Sequence, residues 1–274
     1  MHVSIITINY NNRDGLKKTI ESVVSQTFRD FEWIVIDGGS TDGSRELIEL
    51  NAEHFAYWVS EPDKGIYNAM NKGIAQAKGE YLQFLNSGDW FYDKNVLGKV
   101  FGQERNEDIL FSTKHVICYG DERKEVIERK YGSVFTPFNL INQTISHQSA
   151  FIKRELFDRI GLYDETYKIV SDRKFFFEAF LNYHVTTKVF DFVVVYYDAD
   201  GISNRIDSSK EKERLLCEFL PLDSVSDYYE WSQSTTCLAD YKKEHQHAID
   251  VYEELRKHRL IRKIINGLYR FYKK

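Results

Sequence analysis

Asp37, Asp89, Asp172 and His147 carry the side chains in this sequence best suited to chemistry. Asp37 closes the apolar run "EWIVI" and opens the turn "DGGSTDGS", while Asp89 ends "YLQFLNSGD" after a glycine that permits a tight turn. A carboxylate at the end of a buried strand can accept hydrogen bonds from a ring N–H or a ribose. It can also hold a hard divalent cation, which takes oxygen ligands and completes its shell with water and substrate phosphates. Equally, Asp37 can cap its own turn through backbone N–H groups, and Asp89 can start the next element. Asp172 precedes "FFFEAF", where a helix N-terminus would keep its carboxylate ionised. It is a proton acceptor if it faces a cleft and an N-cap otherwise. His147, in "ISHQSAF", suits a phosphate, an acceptor, a metal or plain packing. In "EPDKGIYNAMNKGI", Asp63 and Lys64 lie where an anion or sugar can reach the N–H groups of a helix start. Pro62 and Gly65 suit an ordinary turn there as well.

The elements that must position these groups alternate over the first hundred residues. Strands are expected at 3–8, 32–36, 56–60 and 81–85, with a helix that Asp14 can cap, a second from the "DGGSTDGS" turn to about 52, and a third at 65–77. Short, wholly apolar strands separated by helices imply a parallel sheet covered on both faces. Ligands bind such sheets outside the carboxyl ends of the strands. Three polar clusters fall there: "NYNN" (9–12), "DGGSTD" (37–42) and "NSGD" (86–89). Beyond residue 100 the pattern reads as a hairpin, then a strand and helix over "SHQSAFIKRELFDRIGLYDE", then a helix at 171–182. A long strand at 186–198 follows, and helices from about 207.

The chain of 274 residues is 42% hydrophobic, enough for one large core with an appendage, and has no apolar run long enough to span a bilayer. "MHVSIITINYNN" lacks a basic leader and a cleavage site, so a secretory signal is not expected. Cys118, Cys217 and Cys237 are odd in number and widely spaced, so neither a disulfide framework nor a zinc cluster follows from them, and a reducing, cytoplasmic setting is the simplest expectation. G-x-G-x-x-G and G-x-x-x-x-G-K-[ST] are both missing. An aspartyl phosphatase would need an aspartate at position 39, which is glycine. Of 37 Lys/Arg, eight fall in residues 256–274 with no acid among them, leaving 29 bases against 42 acids in the rest. An acidic body argues against a general nucleic-acid binder and gives the tail a partner of its own.

"VSIITINYNN", "SVVSQTFRDFEWIVIDGGSTDGS", "NKGIAQAKGEYLQFLNSGD" and "SHQSAFIKRELFDRIGLYDE…SDRKFF" together resemble the family 2 glycosyltransferases, over residues 3 to about 200. The resemblance implies a GT-A fold, a mostly parallel α/β sheet with helices on both faces. It further implies inverting transfer of a sugar from a nucleotide-diphosphate donor, UDP favoured, with Mn²⁺ or Mg²⁺. By position, Asn9, Tyr10, Asn11, Asp37, Gly38, Asp63, Lys64, Asn71, Ser87 and Gly88 would bind the nucleotide sugar. Asp89 would bind the metal, Asp172 would be the base and His147 would contact acceptor or phosphate. The chain departs from the family's Asp-Asp-Gly-Ser at Gly38, from its paired metal acids in "NSGD", and from its usual arginine at Met70. Those departures resemble a subgroup that builds bacterial surface polysaccharides, with a glycan or lipid-linked acceptor. With one acid in the loop, the cation is expected to rely on Asp89, the donor diphosphate and water. The same departures motivate two alternatives: a catalytically degenerate nucleotide-sugar binder, and a nucleotidyltransferase of related fold.

The implied organisation is a catalytic domain over 1–205, with a nucleotide-binding half (1–100) and an acceptor half (101–205), and a helical extension over 206–274. In that extension Ile261, Ile264, Ile265, Leu268 and Tyr272 recur at helical spacing among arginines and lysines. Such a basic amphipathic helix can lie on the inner face of an anionic membrane, dock on the catalytic domain, or form a homodimer contact.

Overall fold

The computed structural model describes residues 1–120, 123–128, 137–142, 144–201, 205–220 and 225. Two compact units divide the chain, Met1–Leu215 and Leu216–Lys274. The expected amphipathic stretch at 256–274 lies outside the described residues.

The first unit alternates as its sequence pattern requires: β1 (Val3–Asn9), α1 (Arg13–Val24), β2 (Phe31–Asp37), α2 (Ser44–Leu50), β3 (Tyr57–Ser60), α3 (Ile66–Gln76) and β4 (Tyr81–Phe84). A short strand, β5 (Trp90–Phe91), and α4 (Val96–Phe101) follow, then β6 (Ile109–Ser112), β7 (Lys114–Tyr119) and β8 (Arg123–Glu128). The remainder is α5 (Pro137–Asn142), β9 (Ala150–Lys153), α6 (Glu155–Ile160), α7 (Ser171–Asn182), β10 (Thr187–Phe190), β11 (Val195–Asp198) and α8 (Ser209–Phe219).

Seven strands form the main sheet in the order β10-β6-β9-β4-β1-β2-β3, with β9 antiparallel to both of its neighbours. β1 and β4 are buried at nearly every position because helices cover both faces, which is why their sequences are apolar runs rather than alternations. Trp33 and Thr7 tie the sheet's centre together. The indole Nε1 donates to Thr7 Oγ1 (3.0 Å), and that hydroxyl donates to the Leu85 carbonyl (2.8 Å). Chain order reverses between β1 and β4, so a crevice opens at their carboxyl ends.

Two local expectations are corrected. Asn12, not Asp14, caps α1 by accepting from Gly15 N (3.2 Å); Asp14 lies a residue inside the first turn. The long strand expected at 186–198 is two strands in two sheets. β10 pairs with β6 in the main sheet, whereas β11 pairs with β5 and β7 in a four-stranded sheet ordered β5-β11-β7-β8. The break at Asp191–Val194 is pinned from outside: Ser112 Oγ donates to the Phe192 carbonyl (2.5 Å) and Lys114 pairs with Asp191 (2.5 Å). "VFDFVVVYY" is apolar except for Asp191, and one acid in such a run does not by itself reveal the crossing.

Candidate active site

Three neighbouring strands, β4, β1 and β2, deliver the polar loops to one edge. Asn9 and Asp37 are register partners at the ends of β1 and β2. Asp37 is fully buried and receives four hydrogen bonds: Asn9 Nδ2 (2.7 Å) and Ser40 Oγ (2.5 Å) on Oδ1, Ser40 N (2.9 Å) and Ser60 Oγ (2.6 Å) on Oδ2. Burial pushes its carboxyl up, but the hydrogen bonds from Ser40, Ser60 and Asn9 outweigh that and hold it below the ordinary value. Asp37 therefore knits three loops together from inside. Asp42 is used similarly, accepting from Arg13 N and Ser44 N at the starts of α1 and α2.

The solvent side of this knot belongs to other residues. Tyr10 is 58% exposed, and Asn11, at φ 48°, accepts from Thr41 N (2.8 Å). Gly38 lies between the Tyr10 ring and the Asp63 carboxylate, and a methyl group there would come within 2.5 Å of Asp63 Oδ2. Asp63 Oδ1 accepts from Gly65 N (2.9 Å), and Lys64 N donates to Asn68 Oδ1 (3.1 Å). Asn71 points elsewhere: its amide bonds Tyr163 N and O and Glu165 (2.9–3.0 Å), fastening α3 to the segment before α7.

The second half of the site gathers residues far apart in sequence. Asp172 is the second residue of α7, and Val170 is the N-cap position, so Asp172 is not the cap. Its Oδ2 stands 3.0 Å from His147 Nδ1, and Oδ1 takes the Tyr67 hydroxyl at 2.9 Å, which the Ile169 carbonyl shares at 2.5 Å. His147 Nε2 lies 3.3 Å from Asn86 Nδ2, at the first position of "NSGD". Burial alone would raise Asp172, but the His147 hydrogen bond and charge, with Tyr67, bring it below the ordinary carboxylate value. His147 mirrors this. Burial lowers it, but bonding to Asp172 and the Asp172 and Asp89 charges raise it overall. Among the described residues, the buried Asn86 Oδ1 has no hydrogen-bond partner. Half a turn of that amide would offer Oδ1 to the Nε2–H of a protonated imidazole. Glu211 of α8 accepts from Lys168 N (2.7 Å) and Ile169 N (2.9 Å), steadying the approach to Asp172.

Asp89 is 6% exposed. Burial, more than the nearby Asp198 charge, raises its carboxyl to about 7 despite the Asp198 N–H and His147. Its Oδ1 accepts from Asp198 N (3.0 Å), and Oδ2 accepts nothing among the described residues. Thr19 and Asn12 of the α1 region hold the loop, bonding the Asp89 carbonyl (2.8 Å), Gly88 N (3.2 Å) and the Ser87 carbonyl (3.0 Å).

The chain has relatives of known family. The family model described as glycosyl transferase family 2 matches residues 4–161. The chain belongs to that family. A glycosyltransferase of Mycobacterium tuberculosis is 37% identical over 185 residues, 65% of this chain and 69% of that protein. A PGL/p-HBAD biosynthesis glycosyltransferase of Mycobacterium bovis is 30% identical over 220 residues, covering 77% and 83%. Among solved structures, Staphylococcus aureus TarS 1-349 in complex with UDP-GlcNAc superposes with a TM-score of 0.64 at 20% identity, over 79% of this chain and 64% of that one. A Pyrobaculum calidifontis mannosyltransferase in complex with GDP-Man and Mn²⁺ gives 0.62 at 14% identity, over 96% and 82%. The glycosyltransferase thus has the GT-A fold expected of it. Sequence reasoning missed its Tyr67, Asn86, Ser40, Ser60 and Asp198. Only Ser40 carried a local signal, standing three residues after Asp37 where an aspartate's turn places an N–H and a hydroxyl.

Proposed function

We propose that this glycosyltransferase moves a sugar from a nucleotide-diphosphate donor, UDP favoured, to a hydroxyl of a glycan or lipid-linked acceptor in bacterial polysaccharide synthesis, inverting the anomeric centre. One observation carries the reading: Asp172 is held through both oxygens and linked through His147 to the loop that ends in Asp89, and the same partners hold its carboxyl below the ordinary value. Asp172 takes the acceptor proton as the hydroxyl attacks the anomeric carbon, and the nucleoside diphosphate leaves from the opposite face. No covalent sugar–enzyme bond forms, so the configuration inverts. Tyr10, Gly38 and Asp63 border the space for the nucleotide, and Asp37 shapes that border from behind. The donors named for TarS and the mannosyltransferase support a nucleotide-sugar substrate here.

Asp89 Oδ2 accepts no hydrogen bond among the described residues, and a carboxylate oxygen left over in this way fits a hard divalent cation such as Mn²⁺ or Mg²⁺. Bound there, it would offset the charge gained by the departing diphosphate as a Lewis acid.

The test is nucleoside diphosphate release from a panel of UDP-, GDP- and dTDP-sugars, with and without Mn²⁺. Asp172→Asn should bind donor normally and lose at least about 100-fold in kcat. Near-normal turnover by that variant would remove Asp172 as the base.

A further inference from the structure

The loop "NSGD" offers one carboxylate where a divalent cation bound by oxygen commonly uses one or two, with substrate phosphates supplying the rest. Among the described residues no group of three or more His, Cys, Asp or Glu is arranged to hold a metal. We propose that Asp198, at the end of β11, supplies the second carboxylate of the cation site, reaching it across the face of Gly88.

Strand register puts it there. β11 pairs antiparallel with β5, which starts directly after Asp89, and Tyr196 stands opposite Trp90. The two rings stack at 5.0 Å between centroids and 20° between planes, which locks the pairing. Continuing that register by two residues sets Asp198 opposite Gly88. A slip of one residue would turn its side chain to the other face of the sheet. The atoms agree. Asp198 N donates to Asp89 Oδ1 at 3.0 Å, and a methyl group on Gly88 would lie 3.0 Å from Asp198 Oδ2 and 3.1 Å from Asn12 Nδ2. Gly88, at φ 102°, has the backbone conformation that suits glycine and also lacks the side chain that would fill this gap.

Each aspartate has one oxygen engaged and one left over. Asp198 Oδ1 accepts from Asp200 N (2.9 Å), and Asp89 Oδ1 from Asp198 N. Neither Oδ2 accepts a hydrogen bond among the described residues, although Asp89 is more than nine-tenths buried. Two carboxylates brought this close repel one another unless a cation lies between them. The turn itself does not need Asp198's charge, since an asparagine Oδ1 would accept from Asp200 N equally well.

The proposal rests on the glycosyltransferase reading of Asp89, and its test separates the two. Mn²⁺ binding to the full chain is titrated by the electron paramagnetic resonance signal of free Mn²⁺, alone and with saturating UDP. Circular dichroism melts check that each variant is folded. Asp198→Asn should weaken Mn²⁺ binding at least about tenfold in both arms, with Asp198→Glu recovering part of the loss and Asp200→Asn leaving it unchanged. If Asp198→Asn binds Mn²⁺ like the wild type while Asp89→Asn does not, the role of Asp198 is overturned and the site at Asp89 stands. If the wild type binds no Mn²⁺ even with UDP, both readings fall.

Discussion

His147 Nδ1 stands 3.0 Å from Asp172 Oδ2, so the proposed base is one member of a buried pair whose other member is held above the ordinary imidazole value. Asp172 is lowered and therefore stays ionised further into acid. His147 is raised and keeps its proton to a higher pH than a free imidazole.

From this pair follows a pH effect. In His147→Gln the hydrogen bond can persist but the positive charge is gone, so Asp172 loses its main stabilising partner and its pKa rises. The acid limb of the kcat/KM profile should move to higher pH, with activity at neutrality reduced by about tenfold. An unmoved limb would mean that His147 does not tune the base. The wild-type pair also contributes to stability. Because the folded pKa of His147 is raised, that contribution is complete below about 6.5 and is lost as pH rises through the folded value.

Gly88→Ala should destabilise the enzyme by about 1–3 kcal/mol, because a methyl group must enter a positive-φ position already bordered by Asp198 and Asn12. Gly98 of α4 is the control: a methyl group there meets nothing within 4 Å, and alanine favours the helix, so Gly98→Ala should be neutral or slightly stabilising. Urea unfolding of the two variants makes the comparison.

Asp37 and Asp63 should divide folding from nucleotide binding. Asp37→Asn places an amide donor against the donors of Asn9, Ser40 and Ser60, and should cost about 1–3 kcal/mol in urea unfolding. Asp63→Asn sits at the edge beside Tyr10 and Gly38. It should change stability by less than about 0.5 kcal/mol while weakening UDP binding measured by calorimetry. Equal UDP affinity in Asp63→Asn would remove that residue from the nucleotide border.

The basic C-terminal stretch gives a prediction from sequence alone. Full-length chain should pellet with vesicles containing anionic lipid, and a 1–250 truncation should not, with the difference fading at high salt. Equal pelleting of the two would show that residues 256–274 do not hold the enzyme on a membrane.

Much of the frame is legible in local pattern. The strands and helices of the first hundred residues follow from apolar runs of strand length, helical spacing and turn residues, all of which act within a few residues of each other. Asp37, Asp89 and Asp172 were found as acids at the ends of such elements, and their types alone narrowed the chemistry. What those acids do was not legible. Asp37 was read as a ligand contact or a turn cap; the structure commits both its oxygens to three loops, a matter of how β1, β2 and β3 lie side by side.

Alone, then, the sequence determined the alternating α/β core, the edge where its polar loops collect, and the carboxylates available there. Tertiary structure decided the partners. Tyr67 meets Asp172 across 105 residues, His147 meets it across 25, and Asp198 meets Asp89 across 109. The physical reason is register and crossover: a long-range hydrogen bond depends on which strand ends beside which. A mostly apolar run such as "VFDFVVVYY", with Asp191 its one charge, does not say whether it stays in one sheet or, as here, changes to another and carries Asp198 to Gly88.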